Sequence, residues 1–148
     1  MKKLANNLIL CLSLLVFITG CNQLKPPINN KTVFYLNEEA KIDHFKITLN
    51  DILEKKEFNS HKPSKGIYLV LEFKIENISN EEQTIDNNSF ILDIANDKYL
   101  DLNNKNISKL AAKESLMYKV VYDAPLNDDY NINFYSGVVS NNITFITK

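Results

Sequence analysis

Acidic side chains recur in the second half of this 148-residue chain and are the first candidates for chemistry. They form two groups: Asp93, Asp97 and Asp101, spaced four residues apart, then Asp123, Asp128 and Asp129. Oxygen-rich clusters can hold calcium, and two carboxylates in a cleft can hydrolyse a glycosidic bond. A calcium loop of the EF-hand type also needs alternating ligands, a central glycine and a terminal glutamate, which this sequence lacks. We therefore interpret these aspartates as turn and edge residues that favour solubility.

Residue types for nucleophilic catalysis or zinc binding are sparse. The three glycines stand at positions 20, 66 and 137, and none brackets a serine as the Gly-x-Ser-x-Gly nucleophile elbow requires. Neither His44 nor His61 has a second histidine or a cysteine at ligand spacing, so we interpret them as a strand residue and a loop residue. The sequence predicts no catalytic residue, no metal site and no cofactor, and therefore a protein that is not an enzyme.

A twelve-residue polar stretch, residues 54–65, is the best candidate for a recognition site. It is locally basic and has one apolar and one imidazole side chain, and its candidate residues are Lys55, Lys56, Phe58, His61, Lys62 and Lys65. Binding loops on a rigid sandwich are common, and Phe58 could anchor a partner. Basic residues near a membrane could equally meet anionic headgroups. A mobile, solvated loop is the remaining alternative.

These residues must be positioned by a β framework centred on residues 66–77. The odd positions from Ile67 to Ile75 are all apolar, a period-two face that only a strand keeps together. The even positions begin apolar and become charged at Glu72, which indicates a central strand covered on both faces at its start and on one face at its end. Gly66 opens this strand, and the turn residues 77–80 close it.

Further apolar alternations predict strands that pack beside the central one. We expect them at residues 32–36, 42–51, 83–85, 89–95, 99–102, 113–122, 130–134 and 142–147, with turns at 37–40 and 96–97. Residues 103–113 are expected to be a polar connection with Leu110 as an anchor, and Pro125 ends the long strand because proline cannot donate to a ladder. About seven or eight short strands without an amphipathic helix predict an all-β, antiparallel sandwich; an antiparallel barrel is the alternative.

The N-terminus has the organisation of a cleaved export signal. Lys2 and Lys3 form a positive start, residues 8–18 are apolar, and small residues precede Cys21. The apolar run is too short for a permanent membrane span and lacks the polar face of a core helix. Residues 1–20 are therefore predicted to be a signal peptide.

Residues 18–21, Ile-Thr-Gly-Cys, resemble a bacterial lipobox, in which the cysteine is acylated and becomes the first residue of the mature chain. The resemblance implies that Cys21 carries lipid and that the domain is anchored on the extracytoplasmic face of the cell membrane, with membrane lipid as a partner. Long acyl chains hold a protein durably, since each buried methylene contributes ~0.8 kcal/mol. Residues 21–31, polar with a proline pair, are then a lipidated tether, and residues 32–148 form the folded domain.

Composition argues against one large functional class. Removal of the signal peptide takes away Lys2 and Lys3 and lowers the formal net charge from −1 to −3. All 17 basic residues are lysines, whereas nucleic-acid-binding domains need a basic face and often use arginine at base edges. We therefore expect no nucleic-acid partner. No cysteine follows Cys21, so the mature domain has no thiol and must be stabilised by its hydrophobic core.

Three stretches of the mature chain resemble a known family: the central strand 66–77, the hairpin 90–99 and residues 116–125. They are similar to the immunoglobulin-like domain of unknown function common in lipoproteins of Gram-positive bacteria, whose fold an immunogenic protein secreted by mycobacteria shares. The resemblance implies an immunoglobulin-like sandwich over about residues 32–148 and implies no chemistry. Where the family usually has glycine, this chain has Asp97 or Lys98 in the hairpin and Lys113 before the long strand.

These observations together predict a lipid-anchored, non-catalytic binding module at the cell surface, with a protein partner there. A passive envelope or stress lipoprotein without a dedicated ligand is the first alternative. A hydrolase that uses carboxylates at one end of the sandwich is the second, and it requires two or more of the aspartates to converge in a concavity. The binding module requires a 54–65 loop with a defined shape or an apolar patch beside it.

Overall fold

The computed structural model describes residues 31–86, 88–103, 108–137 and 142–147. The predicted signal peptide, Cys21 and the tether up to residue 30 lie outside the described residues. Nothing in the described ranges forms a helix long and apolar enough to cross a membrane. The eleven strands found there are β1 (Val33–Phe34), β2 (Glu39–Ile42), β3 (Phe45–Lys55), β4 (Ile67–Asn77), β5 (Gln83–Ile85), β6 (Phe90–Ile94), β7 (Asp97–Leu100), β8 (Ser108–Leu110), β9 (Ser115–Ala124), β10 (Asn131–Tyr135) and β11 (Asn142–Ile146).

The strands form two large sheets and one small sheet. The five-stranded sheet has the order β1-β11-β10-β6-β7, the four-stranded sheet has the order β2-β3-β4-β9, and β5 pairs with β8. The pairing of β1 with β11 is parallel, and the other pairings are antiparallel. The two large sheets contribute apolar side chains to a single main core. The predicted antiparallel β-sandwich is confirmed.

The central strand predicted from the alternation is β4, which pairs with β3 on one side and β9 on the other. Its inward side chains, from Leu69 to Ile75, are fully buried. Phe73 on this strand meets Phe90 at 4.5 Å and Phe145 at 5.3 Å between ring centroids on the facing sheet. Aromatic pairs of this kind contribute about 0.5–1.5 kcal/mol beyond their area burial. The apolar face of β4 therefore joins the two sheets.

Two short strands differ from the sequence-based expectation. Residues expected to form a turn and the start of a long strand instead form β2, which folds back on β3 at Asp43 and His44. Asp43 adopts a φ of 49°, a left-handed conformation that aspartate tolerates better than most residues. The expected polar connection contains β8, in which Leu110 is buried as predicted. A strand with a single apolar residue shows no alternation, so the sequence did not reveal it.

The turn between β6 and β7 lies one residue earlier than expected. Its residues are Ala95 and Asn96, with φ values of 51° and 73°, and Ile94 pairs with Asp97. Positive φ at both positions is typical of the type I′ turn, whose twist matches that of the flanking strands. This register places Tyr99 opposite the buried Leu92, and a shift by one residue would turn Tyr99 to the other face. Packing against the core therefore outweighs the low tolerance of alanine for this conformation.

The position before the long strand has a backbone conformation that glycine adopts most readily. Lys113 has a φ of 64°, and its Nζ donates a 2.6 Å hydrogen bond to the carbonyl oxygen of Ile78. A lysine side chain at this turn thus provides a contact that glycine cannot make, at the cost of some backbone strain.

One end of the sandwich, which we call the loop end, carries Lys55 of β3 and Ala124 of β9. Lys55 pairs with Tyr68 at the beginning of β4, and Ala124 pairs with Ile67. The β6–β7 turn belongs to the same end. Asp93, just before this turn, pairs with Asn131 at the beginning of β10, and β10 ends at the opposite end of the sandwich, where Ser136 contacts Asp43.

The opposite end, which we call the Asp43 end, carries the β2–β3 turn and the last residues of β10. The hydroxyl of Ser136, directly after β10, donates a hydrogen bond to the carboxylate of Asp43. β11 starts at this end, because Asn142 pairs with Tyr135. Since β1 runs parallel to β11, the chain approaches Val33 from the Asp43 end.

Candidate functional site

The segment predicted to be a loop over residues 54–65 is partly strand. β3 continues to Lys55, so the connection to β4 covers residues 56–66. A register irregularity between Leu49 and Asp51 interrupts the pairing of β3 with β4. Beyond it Ile52 packs against the core and Leu53 is exposed. The irregularity breaks the apolar alternation, which is why the sequence did not indicate the extension of β3.

The connection folds back on itself at Phe58 and His61. The backbone N–H of Phe58 donates to the carbonyl oxygen of His61 at 2.9 Å, and the N–H of His61 donates to that of Phe58 at 3.0 Å. Asn59 and Ser60 between them have φ values of 49° and 63°, as a tight reversal requires. The His61 ring Nδ1 donates to the carbonyl oxygen of Asn59 at 2.7 Å. The loop therefore has a defined shape.

Phe58 fixes this reversal to the outer face of the four-stranded sheet. Its ring lies 5.8 Å from that of Tyr68, and it packs against a small buried cluster made of Tyr68, Val70 and Val121. The hydroxyl of Tyr68 also donates to the carbonyl oxygen of Lys62 at 3.1 Å. Phe58 is thus an internal anchor of the loop, and its ring is half-buried against its own sheet instead of being displayed to a partner.

The end of the loop is held by Asp123 of β9. Its carboxylate accepts hydrogen bonds from the backbone N–H of Ser64 at 2.8 Å, the Ser64 hydroxyl at 2.6 Å and the backbone N–H of Lys65 at 2.9 Å. Partial desolvation acts to raise the pKa of Asp123, but these hydrogen bonds outweigh it and hold the pKa below its ordinary value. This aspartate therefore positions the loop as an ionised acceptor, which corrects its assignment as a solubility residue.

The four lysines of the loop occupy two different settings. All four side chains, those of Lys55, Lys56, Lys62 and Lys65, are exposed. Lys65 extends across the side of the sandwich, and its Nζ lies 4.4 Å from the ring centroid of Tyr99 on β7, a cation–π distance. Only Lys65 of the four therefore links the loop to the five-stranded sheet.

A groove of about 320 Å³ lies beside this cation–π contact. It is bordered by the end of the loop, by β7 and by the segment after β7, and its lining residues are Ser64, Lys65, Lys98, Tyr99, Leu100, Leu102 and Asp123. The side chains of Leu100 and Leu102 are 48% and 52% exposed. The sequence did not single out Lys98, Leu100 or Leu102, because only the approach of β7 to the loop brings them together.

The aspartates of the first group do not converge. Asp93 and Asp97 lie on paired strands, opposite Lys98 and Ile94 respectively. Of the two groups, the groove contains Asp123 alone. Among the described residues no three His, Cys, Asp or Glu side chains are grouped closely enough to hold a metal ion. His44 lies exposed in the β2–β3 turn, at the opposite end from His61. The geometry required by a carboxylate hydrolase is therefore not formed by these residues.

Asp101 is buried, in contrast to the solubility role expected for it. Its Oδ1 accepts hydrogen bonds from the backbone N–H of Val121 at 2.9 Å and of Asn103 at 3.0 Å, while the N–H of Leu102 donates to the carbonyl oxygen of Val121 at 2.8 Å. Burial raises the pKa of Asp101, although these hydrogen bonds oppose the rise. The second oxygen, Oδ2, has no hydrogen-bond partner within the described part of the chain. Asp101 thus fastens the segment after β7 to the edge of β9.

The sequence matches a known family over residues 34–144, and that family is described as a domain of unknown function, DUF4352. The chain belongs to the DUF4352 family. The match confirms the predicted resemblance to a domain of unknown function, and the description of the family names no catalytic activity. No curated protein matches the sequence.

Solved structures share the fold of this DUF4352 chain at low sequence identity. The candidate lipoprotein ycdA of Bacillus subtilis aligns with a TM-score of 0.59 and 15% identity. The alignment covers 74% of this chain and only 38% of ycdA, so this chain spans well under half the length of that protein. The secreted protein MPT63 of Mycobacterium tuberculosis aligns with a TM-score of 0.59 and 13% identity over 81% of this chain and 98% of its own. An uncharacterized β-sandwich protein of Clostridium difficile has a TM-score of 0.51 and 17% identity, over 84% and 100% of the two chains. These likenesses confirm the predicted fold.

Proposed function

We propose that this protein is a lipid-anchored, extracytoplasmic binding module that recognises a protein partner through the loop end of its sandwich and performs no catalysis. The observation that carries the proposal is the defined shape of residues 56–65, which are held by Phe58 and Asp123 and border a groove with two exposed leucines. A rigid loop loses less conformational freedom on binding than a mobile one, so it is suited to recognition.

Anchoring through Cys21 is supported by the lipobox-like residues 18–21 and the export signal before them. Two proteins of the same fold are described as a candidate lipoprotein and as a secreted protein, which agrees with a location outside the cytoplasm. A Cys21→Ala variant is expected to lose the incorporation of labelled palmitate, since it has no site for the acyl chains. If this variant incorporated the label to the same extent as the wild type, the lipid anchor at Cys21 would be disproved.

The loop end offers more than positive charge. The reversal at Phe58 and His61 is held by backbone hydrogen bonds, and the groove beside the loop exposes Leu100 and Leu102. Anionic headgroups would need only the exposed lysines, so the two apolar side chains favour a protein surface as the target of the loop end.

In-cell crosslinking followed by purification of the full-length lipoprotein tests the proposal. The wild type is compared with a variant in which residues 56–65 are replaced by Gly and Ser, leaving β3 intact. A matched control replaces the exposed residues 126–128, which connect β9 to β10. Equal membrane fractions and equal thermal unfolding must be established for all three proteins before their captured proteins are compared.

A partner captured by the wild type and the control, and not by the loop variant, is the expected result. Identical captures from all three proteins, or none from any, would overturn recognition through the loop and favour a passive envelope component. The carboxylate hydrolase receives no support from a specific contact, because Asp123 is the one aspartate of the two groups that lines the groove.

A further inference from the structure

The edge of β7 beside the groove has backbone groups available for pairing. β7 is the last strand of the five-stranded sheet, with β6 as its strand neighbour. Because a two-residue turn joins β6 and β7, the pair Ile94 and Asp97 exchanges both backbone hydrogen bonds, and so does the pair Leu92 and Tyr99. The N–H and C=O groups of the residues between and after them, Lys98 and Leu100, therefore point away from β6, toward the groove side.

The side chains of β7 alternate between the two faces of the five-stranded sheet. Tyr99 faces the core, where it packs against buried residues and beneath Lys65. Lys98 and Leu100 face the opposite surface of the sheet, two residues apart, and both are exposed. A segment that pairs with β7 would thus meet one cationic and one apolar side chain on the same face.

The groove is cationic despite the presence of a carboxylate. The carboxylate of Asp123 already accepts three hydrogen bonds from Ser64 and Lys65. In the described residues neither Lys65 nor Lys98 forms an ion pair with a carboxylate. Lys65 and Lys98 both line the groove, so its lining carries two positive charges against the one negative charge of Asp123, and an anionic ligand complements this excess.

We propose that the groove binds an extended acidic segment of a partner protein, which adds to the open edge of β7 as a further strand. The proposal rests on the binding function given above and names its ligand class. Unpaired backbone groups select a polypeptide over a lipid headgroup, because only another strand satisfies a row of N–H and C=O groups. The ligand carries an acidic side chain near Lys98 and, two residues away, an apolar side chain near Leu100.

Lys98 also explains why this edge need not pair indiscriminately. Lysine on an edge strand disfavours pairing with apolar or basic strands, because its charge must then be desolvated or placed near a like charge. An acidic partner removes that penalty. The same residue that protects the edge from aggregation therefore selects the ligand.

The test is selection of a displayed library of random nine-residue peptides on the full-length protein in detergent micelles, with counter-selection on a Lys65→Glu/Lys98→Glu double variant. The expected peptides combine an acidic and an apolar residue two positions apart and bind the double variant at least tenfold more weakly. A matched control, Lys41→Glu/Lys109→Glu, changes two exposed lysines of β2 and β8 and should bind these peptides as the wild type does.

Hydrogen exchange with the selected peptide bound provides the second measurement. The amides of Lys98 and Leu100 are expected to gain protection, and N-methylation of alternate peptide amides is expected to abolish binding. The proposal is overturned if no peptide is enriched, if the enriched peptides bind the double variant equally well, or if both amides remain unprotected.

Binding to phosphatidylglycerol vesicles that depends on Lys65 and Lys98, without enrichment of any peptide, would instead assign the groove to a lipid surface and would also overturn the proposal. The in-cell capture separates this failure from failure of the binding function. A partner that requires residues 56–65, while the groove selects no peptide, would leave recognition by the loop intact and remove the strand-addition proposal alone.

Discussion

Asp123 on β9 and Ser64 at the end of the loop, 59 residues apart in sequence, share two hydrogen bonds to one carboxylate oxygen, at 2.8 Å from the Ser64 N–H and 2.6 Å from its hydroxyl. The other oxygen accepts the N–H of Lys65 at 2.9 Å. One side chain of the sheet thus determines the path of the chain into β4 and the position of Lys65 over Tyr99.

An Asp123→Ala variant is expected to release the end of the loop with a moderate loss of stability, about 1–2 kcal/mol, because a net hydrogen bond contributes about 1 kcal/mol. The amides of Ser64 and Lys65 should exchange faster, as measured by hydrogen exchange. Asp128→Ala, at an exposed position of the next loop, is the matched control and should leave both amides as they are. Unchanged exchange in Asp123→Ala would contradict the role of this carboxylate.

The pH dependence of this contact has a definite sign. The pKa of Asp123 in the folded protein is lower than its ordinary value of 3.8, so its stabilising contribution is present above that value. It is lost as pH falls through the folded pKa. Exchange at Ser64 and Lys65 should therefore accelerate in acid relative to other amides, and the Asp123→Ala variant should not show this acceleration.

Asp101 predicts the opposite pH dependence. Burial raises its pKa above the ordinary value of 3.8, so the folded state favours the protonated carboxyl. The free energy of unfolding contributed by Asp101 therefore decreases as pH rises from 3.8 through the folded pKa. Asp101→Asn keeps an oxygen for the N–H groups of Val121 and Asn103 without the charge, and should remove this part of the pH dependence in urea titrations.

An Asp101→Ala variant separates the hydrogen bonds from the charge. It leaves the buried N–H of Val121 without its acceptor and should lower the free energy of unfolding by about 1–3 kcal/mol at neutral pH. If the alanine and asparagine variants were equally stable at neutral pH, the hydrogen bonds of Asp101 would have no net effect on stability.

Gly66 and Gly137 form a matched pair for backbone strain. Both have positive φ, 144° and 88°, so alanine is unfavourable at either position by about 1–3 kcal/mol. A Cβ at Gly66 would also lie 3.2 Å from the backbone nitrogen of Leu126 and 3.3 Å from the carbonyl oxygen of Ala124, whereas a Cβ at Gly137 would meet no atom within 4 Å. Thermal unfolding should show a larger loss for Gly66→Ala than for Gly137→Ala. Equal losses would show that the beginning of β4 and the end of β9 move apart at Gly66 without a measurable loss of stability.

Asn77 at the end of β4 is expected to be among the least replaceable polar residues. Its buried Nδ2 donates toward the carbonyl oxygens of Glu81, Leu110 and Ala111 at 2.7–3.0 Å, and its Oδ1 accepts the N–H and hydroxyl of Ser79. Asn77→Asp replaces the donor by an oxygen that faces three carbonyl oxygens. It should therefore destabilise the protein at neutral pH more than Asn77→Ala, which should cost about 2–4 kcal/mol. Greater stability of the aspartate variant in chemical denaturation would contradict this geometry.

The alternation of apolar residues was sufficient to predict the sandwich and its central strand, because a period-two pattern leaves one face that must be buried. β4, the inward face of β9 from Leu116 to Tyr122, and the inward residues of β10 follow directly from it. The same reasoning missed β2 and β8 and ended β3 too early. Those strands are short or contain a register irregularity, so they offer too few alternating residues to be recognised.

The loop was identified from sequence because its lysines stand in a polar stretch between two apolar ones. The contacts of Phe58 depend on the outer face of β4 and β9, and the contact of Lys65 depends on the approach of β7. No local sequence pattern indicates either contact. The aspartates show the same limit. Their side chains look alike in sequence, yet Asp101 is buried and Asp123 supports the loop, because each carboxylate is positioned opposite backbone N–H groups from a distant part of the chain.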